Sequence, residues 1–223
     1  MEVLYQKYLH EKSHLKILDA GCGQNLSSFR FIPDKARFIG VDISFKNLLN
    51  SKEQAKNNNR QNVNLIRATL TNLPFKGRTF DVIICCDVLE HIKDKQYVIN
   101  EISRVCDDGA ILIGSTSNLL NPIMMTDCLL PKKITNILVR RFAGNHYERH
   151  SRLTPFKLIK ILAKNFRKYE VSCLGFPPFK PWVYQFSNKK PPRFAYIWIA
   201  YDKITNRVPL KIFKETIIFL AKK

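Results

Sequence analysis

The stretch ILDAGCGQN, residues 17–25, decides how the chain is read. Apolar Ile17 and Leu18 lead to Asp19, and after Ala20 comes Gly21-Cys22-Gly23. This is a short strand running into a tight turn, where glycines let a ligand approach the backbone closely. A dinucleotide fingerprint would place a further glycine at position 26, which is Leu26 here. Asn25 stands where a third glycine of such loops is common, and asparagine tolerates positive φ better than most residues. Alone, Gly-x-Gly is a weak signal; its neighbours strengthen it.

On either side, strand and helix signals alternate. Residues 15–21, 36–42, 62–68, 80–88 and 110–116 read as strands, and FDVIICCDV is an apolar run of the kind that parallel sheets bury on both faces. Ser44 is placed to cap a helix to about Asn58, with Leu48 and Leu49 on its inner face. Asp94 starts another helix, with Val98, Ile99, Ile102 and Val105 at helical spacing and Asp107–Gly109 as its end. Thr154-Pro155 starts a third, continued by Phe156, Leu158, Ile159, Ile161, Leu162 and Phe166. Residues 168–176 and 215–223 give a sixth and a seventh strand, and a helix is expected at 194–206. Strands separated by crossover helices predict an α/β doubly wound sheet.

Composition narrows the class. With 223 residues, 45% hydrophobic and 25% charged, the chain reads as one globular domain with additions. The longest apolar run, FAYIWIAY at 194–201, is far short of the roughly 20 residues of a membrane-spanning helix. The first residues lack the apolar core of a signal peptide, so a cytoplasmic location is expected. No two of the six cysteines are spaced C-x-x-C, which argues against a zinc ribbon and a thioredoxin-type site. Charge is unevenly spread. Residues 1–117 carry 16 Lys and Arg against 13 Asp and Glu, whereas residues 118–223 carry 21 against 5. A basic half of this kind suits an anionic membrane surface, a nucleic acid or a phosphorylated substrate, or is a solvated lysine-rich face. Within it, residues 122–144 read as helical with an interruption at Pro131, and the second part is a basic amphipathic helix, suited to a membrane surface or to covering the core.

Two further stretches carry chemistry. IGVDIS places Asp42 at the end of the second strand, 19 residues after Gly23, where a carboxylate holds the ribose diol of a nucleoside cofactor. LPFKGRTFDVIICCDVLEHIKD, residues 73–94, joins a Leu-Pro-Phe turn, a strand and a Leu-Glu-His sequence. Together with ILDAGCG these resemble the class I S-adenosylmethionine-dependent methyltransferases, nearest to the small-molecule and lipid group typified by quinone-biosynthesis enzymes. The resemblance is specific over residues 15–118 and looser beyond.

That resemblance implies a mostly parallel seven-stranded sheet with a last antiparallel strand, and S-adenosylmethionine as cofactor. One domain, 1–223, would hold a cofactor half at 15–118 and acceptor-side covers at 119–153 and 176–213. Asp19, Gly21, Cys22, Gly23 and Asn25 match the loop around the methionine end. Asp42 matches the ribose acid, with Ile43 beside the adenine. Thr69, with Leu70, stands where the family has an acid for the adenine amino group, so a charged partner is lost. Cys85 and Cys86 match the sulfonium side of the fourth strand. Val88 and His91 follow it, and the Glu90-His91 pair is expected to orient the loop.

A sulfonium methyl is strongly electrophilic, so positioning and exclusion of water are the protein's main tasks. An oxygen acceptor needs a base, and His146, Tyr147 and His150 in GNHYERHSRLTP are the candidates. Phe179, Trp182, Tyr184, Phe186 and Trp198 offer a broad amphipathic surface for a hydrophobic acceptor or for the cover's own packing. The expected function is methyl transfer to a small-molecule or lipid-like acceptor at an anionic membrane. An RNA or other polyanion methyltransferase, and a non-catalytic cofactor-binding subunit, are the alternatives.

Overall fold

The protein is described from a computed structural model over residues 14–24, 33, 35–60, 62–122, 125, 152–174, 204–206, 210–214 and 216–223. Seven strands form one sheet: β1 (Lys16–Ala20), β2 (Arg37–Asp42), β3 (Val63–Arg67), β4 (Phe80–Cys86), β5 (Cys106–Ser117), β6 (Lys168–Leu174) and β7 (Thr216–Lys222). Their order is β3-β2-β1-β4-β5-β7-β6. Pairings from β3 to β5 are parallel, and β7 runs antiparallel to both β5 and β6. The α/β class and the antiparallel last strand are as the sequence leads one to expect.

Alternation along each strand divides the core in two, because successive side chains point to opposite faces. Ile17, Val82, Ile84 and Ile113 bury one face under helix α1 (Phe45–Asn57). Leu18, Ile83, Leu112 and Phe219 bury the other under α2 (Lys95–Val105) and α3 (Pro155–Leu162). Each fully buried large side chain contributes about 1.5–3 kcal/mol, so these layers dominate the stability. The sheet is thereby fixed as a rigid frame for its carboxyl-end loops.

The predicted caps are present. The Ser44, Asp94 and Thr154 side chains accept from the amides of Asn47, Tyr97 and Lys157, at 3.3, 3.0 and 3.2 Å. Two local expectations change, on α1 and at the end of α2. Leu48 is buried with Ser51 and Ala55, but Leu49 is 51% exposed, because the spacing 48–51–55 selects the inner stripe. On α3, Leu158, Ile161 and Leu162 are buried while Phe156 is 59% exposed. Finally, α2 ends at Val105 and β5 begins at once, with buried Cys106 opposite Phe80. Exposed Asp107–Gly109 then bulge out, and pairing resumes at Val82 with Ile111.

The expected helices at 122–144 and 194–206 lie mostly outside the described residues. Among the described residues no helix is long and apolar enough to cross a membrane.

Candidate functional site

Between β1 and β4 the strand order reverses, because β1 pairs with β2 on one side and with β4 on the other. Such a reversal opens a crevice at the carboxyl ends of the strands. A cavity of about 480 Å³ lies there, within the roughly 300–1,000 Å³ of small-molecule and cofactor sites.

The turn after β1 forms one wall. The Gly21 and Cys22 amides both donate to the Val41 carbonyl, at 2.8 and 3.0 Å, which folds the chain back over the end of β2. Gly21 has φ +84°, and a Cβ on it would lie 2.4 Å from Val88 Cγ2. Gly23 has φ +62°, yet a Cβ there would meet nothing within 4 Å. The first glycine is therefore needed for packing, whereas the second faces open space. The Gly23 peptide is held on both sides: its amide donates to Asp42 Oδ2 at 2.9 Å, and its carbonyl accepts from Ser51 Oγ at 2.8 Å.

Asp42 forms the second wall. Its Oδ1 accepts from the Ser44 amide at 2.8 Å and from Asn47 Nδ2 at 3.4 Å. A carboxylate has about four acceptor positions, so three are used by the chain and one on Oδ2 is left for a ligand. Ile43 follows at the rim, 69% exposed, with its carbonyl fixed by Arg67 Nε at 3.1 Å. Beyond β3, Thr69 Oγ1 accepts from the Thr71 amide at 3.3 Å and shares a 2.9 Å hydrogen bond with Thr71 Oγ1. The hydroxyl thus closes a local turn, and Leu70 is buried behind it.

The third wall follows β4. Asp87 has φ +55°, a left-handed conformation that costs a non-glycine residue about 1–2 kcal/mol. Two contacts with β5 hold it there: its amide donates to the Ser115 carbonyl at 2.9 Å, and its carboxylate accepts from Ser115 Oγ at 2.8 Å. Burial of the carboxyl raises its pKa, and Glu90 adds to this, against lowering by the Ser115 hydrogen bond and by His91. The residue as a whole is exposed at the cavity wall, but its carboxyl lies on the buried Ser115 side. Glu90 turns away from the cavity. It is buried and accepts from Thr116 Oγ1 at 2.8 Å and Ser117 Oγ at 3.1 Å, pinning the loop to the end of β5.

Of the expected cofactor residues, Gly21, Gly23, Asp42, Ile43, Thr69, Leu70, Val88 and His91 line this cavity. Asp19, Cys22, Cys85 and Cys86 do not. Cys22 is tucked under the turn, its Sγ 3.0 Å from the place a Gly40 Cβ would take, and burial pushes its thiol well up. Cys85 is fully buried in the α2–α3 layer, and Cys86 packs against the α1 layer. Both still lie in the ladder, opposite Gly114 and Ser115, so alternation sends their side chains to the two faces of the sheet. The residue that reaches the sheet's end is Asp87. Sequence reasoning passed over it, although an acid immediately after an apolar strand was the available signal. Asn47 and Thr71 were also missed. Asn25, His146, Tyr147 and His150, and the aromatics Phe179, Trp182, Tyr184, Phe186 and Trp198, lie outside the described residues.

A sheet in this order, with a glycine turn after β1 and an acid closing β2, defines a Rossmann-like protein that binds a nucleoside cofactor. The family described as a methyltransferase domain matches residues 11–165, and the chain belongs to that family, the class I S-adenosylmethionine-dependent methyltransferases. A ubiquinone biosynthesis O-methyltransferase of Rickettsia conorii is 26% identical over 116 residues, 52% of this chain and 39% of that protein. The Coxiella burnetii protein of the same name is 30% identical over 115 residues, 50% of this chain and 49% of its own length. The matched region thus spans half or less of these relatives. Among solved structures, phosphoethanolamine N-methyltransferase 2 of Haemonchus contortus, in complex with S-adenosyl-L-methionine, superposes with a TM-score of 0.67 at 16% identity. That likeness covers 100% of this chain and 52% of the other.

S-adenosylmethionine is the cofactor of the family. The residues present fit it: open space before the Gly23 backbone, acceptor capacity on Asp42 and an apolar rim at Ile43.

Proposed function

We propose that this protein transfers the methyl group of S-adenosylmethionine to a small-molecule or lipid-like acceptor. The observation that carries this is the Gly23–Asp42 pairing at the cavity, where one carboxylate both fixes the glycine turn and keeps acceptor capacity. When bound, the cofactor supplies an electrophilic methyl group on a sulfonium. The chain's residues do the rest. The Gly21–Gly23 backbone would receive the methionine end, Asp42 Oδ2 would accept from a ribose hydroxyl, and Ile43 and Leu70 would give the adenine apolar contact. Val88, packed on Gly21, narrows the passage between turn and loop.

Proton handling falls to Asp87. Asp87 lines the cavity with its Oδ1 held by Ser115, and its raised pKa moves it toward the range in which a general base works. There it takes a proton from an acceptor hydroxyl at its Oδ atoms, with His91 beside it. His146, Tyr147 and His150 are the candidates for the same role on sequence grounds. The names of the relatives support an oxygen acceptor of quinone type. The basic excess of residues 118–223 supports a protein on the cytoplasmic side of an anionic membrane, in contact with that surface.

Calorimetry with S-adenosylmethionine is the first test: saturable heat in the micromolar range is expected, and none at high micromolar cofactor would overturn the reading. Transfer of labelled methyl to lipid, RNA and polar fractions of a native extract then sorts the acceptor. Label confined to RNA would replace the proposed acceptor class. Sedimentation with phosphatidylglycerol vesicles at two salt concentrations decides the membrane clause.

A further inference from the structure

A second concavity lies at the same end of the sheet, three strands along. It has about 430 Å³ and is formed by the first turn of α3, the end of β6 and the turn at 210–214. Its walls are of two kinds. Phe156, Ile159 and Leu174 present apolar surface, and Phe156 is 59% exposed. Lys211 and Lys214 supply positive charge, and no carboxylate stands among the described residues that line it. Lys214 is buried, and its Nζ donates to Asn206 Oδ1 at 2.7 Å, across the groove's own lining.

The groove is assembled by long-range contacts. Buried Asn118, just past β5, donates from Nδ2 to the carbonyls of Ile212 and Lys214, both at 2.7 Å. The lysine-bearing turn is thereby tied to the strand whose Ser115 holds Asp87. Leu174 pairs with Thr216, and Thr216 with Ser117. Three strand spacings separate β6 from β4, on the order of 15 Å, within reach of one elongated molecule. The groove shares no lining residue with the cofactor cavity.

We infer that this groove is a second subsite, one that holds the acceptor away from its methylated end, and that the acceptor is an amphiphile with an acidic group. Cationic and apolar walls, with no carboxylate among the described lining residues, match an anion attached to a hydrocarbon. Neither a free small anion nor a neutral lipid uses both. The acceptor role rests on the methyltransferase reading; the binding property is measured without it.

The probe is dodecyl phosphate below its micelle concentration, titrated into the full chain by calorimetry. Dodecyl maltoside supplies the same tail on a neutral head, inorganic phosphate the head without the tail, and phosphatidylglycerol vesicles the bilayer source. Dodecyl phosphate is expected to bind at one per chain and at least tenfold more tightly than either soluble control. Lys211→Glu, an exposed change, should weaken it tenfold or more. Ser172→Trp, also exposed, should fill the groove and abolish binding. In both variants cofactor affinity should stay within twofold. Equal binding of maltoside, indifference to Lys211→Glu, or binding to vesicles alone would overturn the inference. Cofactor heat without amphiphile binding sinks only this proposal, whereas amphiphile binding without cofactor heat sinks only the methyltransferase reading.

Discussion

The two concavities at the carboxyl end of the sheet are built on different plans. The cofactor cavity is made of short segments that leave β1, β2, β3 and β4, and its central bond joins Gly23 to Asp42 across 19 residues. The acceptor-side groove depends on Asn118, which reaches 94 and 96 residues along the chain to Ile212 and Lys214. One site follows from motifs at strand ends. The other follows from where remote segments meet, and no motif marks it. The lesson is that the central bond of the cofactor cavity is short in sequence range, whereas the second groove is assembled at long range.

Substitutions can break this comparison. Gly21→Ala should have the largest effect. Its Cβ would lie 2.4 Å from Val88 Cγ2 at φ +84°, costing about 3 kcal/mol and lowering cofactor affinity more than tenfold. Gly23→Ala is its control. Open space surrounds that position, so denaturation should show only about 1–2 kcal/mol of backbone strain while cofactor affinity still falls.

Asn118→Ala comes next. It strands the carbonyls of Ile212 and Lys214 and the Leu120 amide, at about 2–3 kcal/mol. Cofactor affinity should be unchanged; a tenfold fall would show that the two regions are one unit. Asp42→Asn should weaken cofactor binding by about tenfold, the worth of a charged hydrogen bond, with little effect on dodecyl phosphate.

Glu101→Gln has the smallest effect and tests the frame behind the cofactor cavity. Glu101 accepts from Arg104 Nε at 2.8 Å and Nη2 at 2.7 Å and from the Leu73 amide at 2.9 Å. The Arg104 hydrogen bonds and charge and the Leu73 amide together lower its pKa against the effect of burial. A lowered pKa means stability that is present above the ordinary carboxylate value and lost as pH falls toward the folded value. The unmodified protein should therefore lose stability on the acid side through this window. The variant should be weaker by about 1 kcal/mol at neutral pH and flatter in acid, as read by thermal melts across pH.

Much of the fold was legible because apolar alternation and helix caps are local signals. Ser44, Asp94 and Thr154 announced their helices before any contact was known. What failed did so for geometric reasons. Leu49 looked as apolar as Leu48, but only one of two adjacent helical residues faces the sheet. Cys85 and Cys86 looked close to the cofactor, but they still pair with β5 and so point to the faces. Asp87 was passed over because an acid after a strand reads as punctuation until its carboxyl is seen against Ser115. Asp107–Gly109 read as a helix end, and the pairing of Cys106 with Phe80 made it a bulge within a strand.

The sequence by itself determined the class of sheet, the glycine turn and the acid that closes β2, since those depend on residue type and on spacing along short segments. Only the tertiary structure decided that Gly21 is needed for packing while Gly23 faces open space, because the difference lies in Val88, a residue 67 positions from Gly21 in the chain. It also decided that Glu90 braces β5 while Asp87 faces the cavity, and that Asn118 joins the 210–214 turn to the sheet. In each case the reason is the same. A side chain's role is set by what stands opposite it, and for these residues the opposite atoms come from distant parts of the chain.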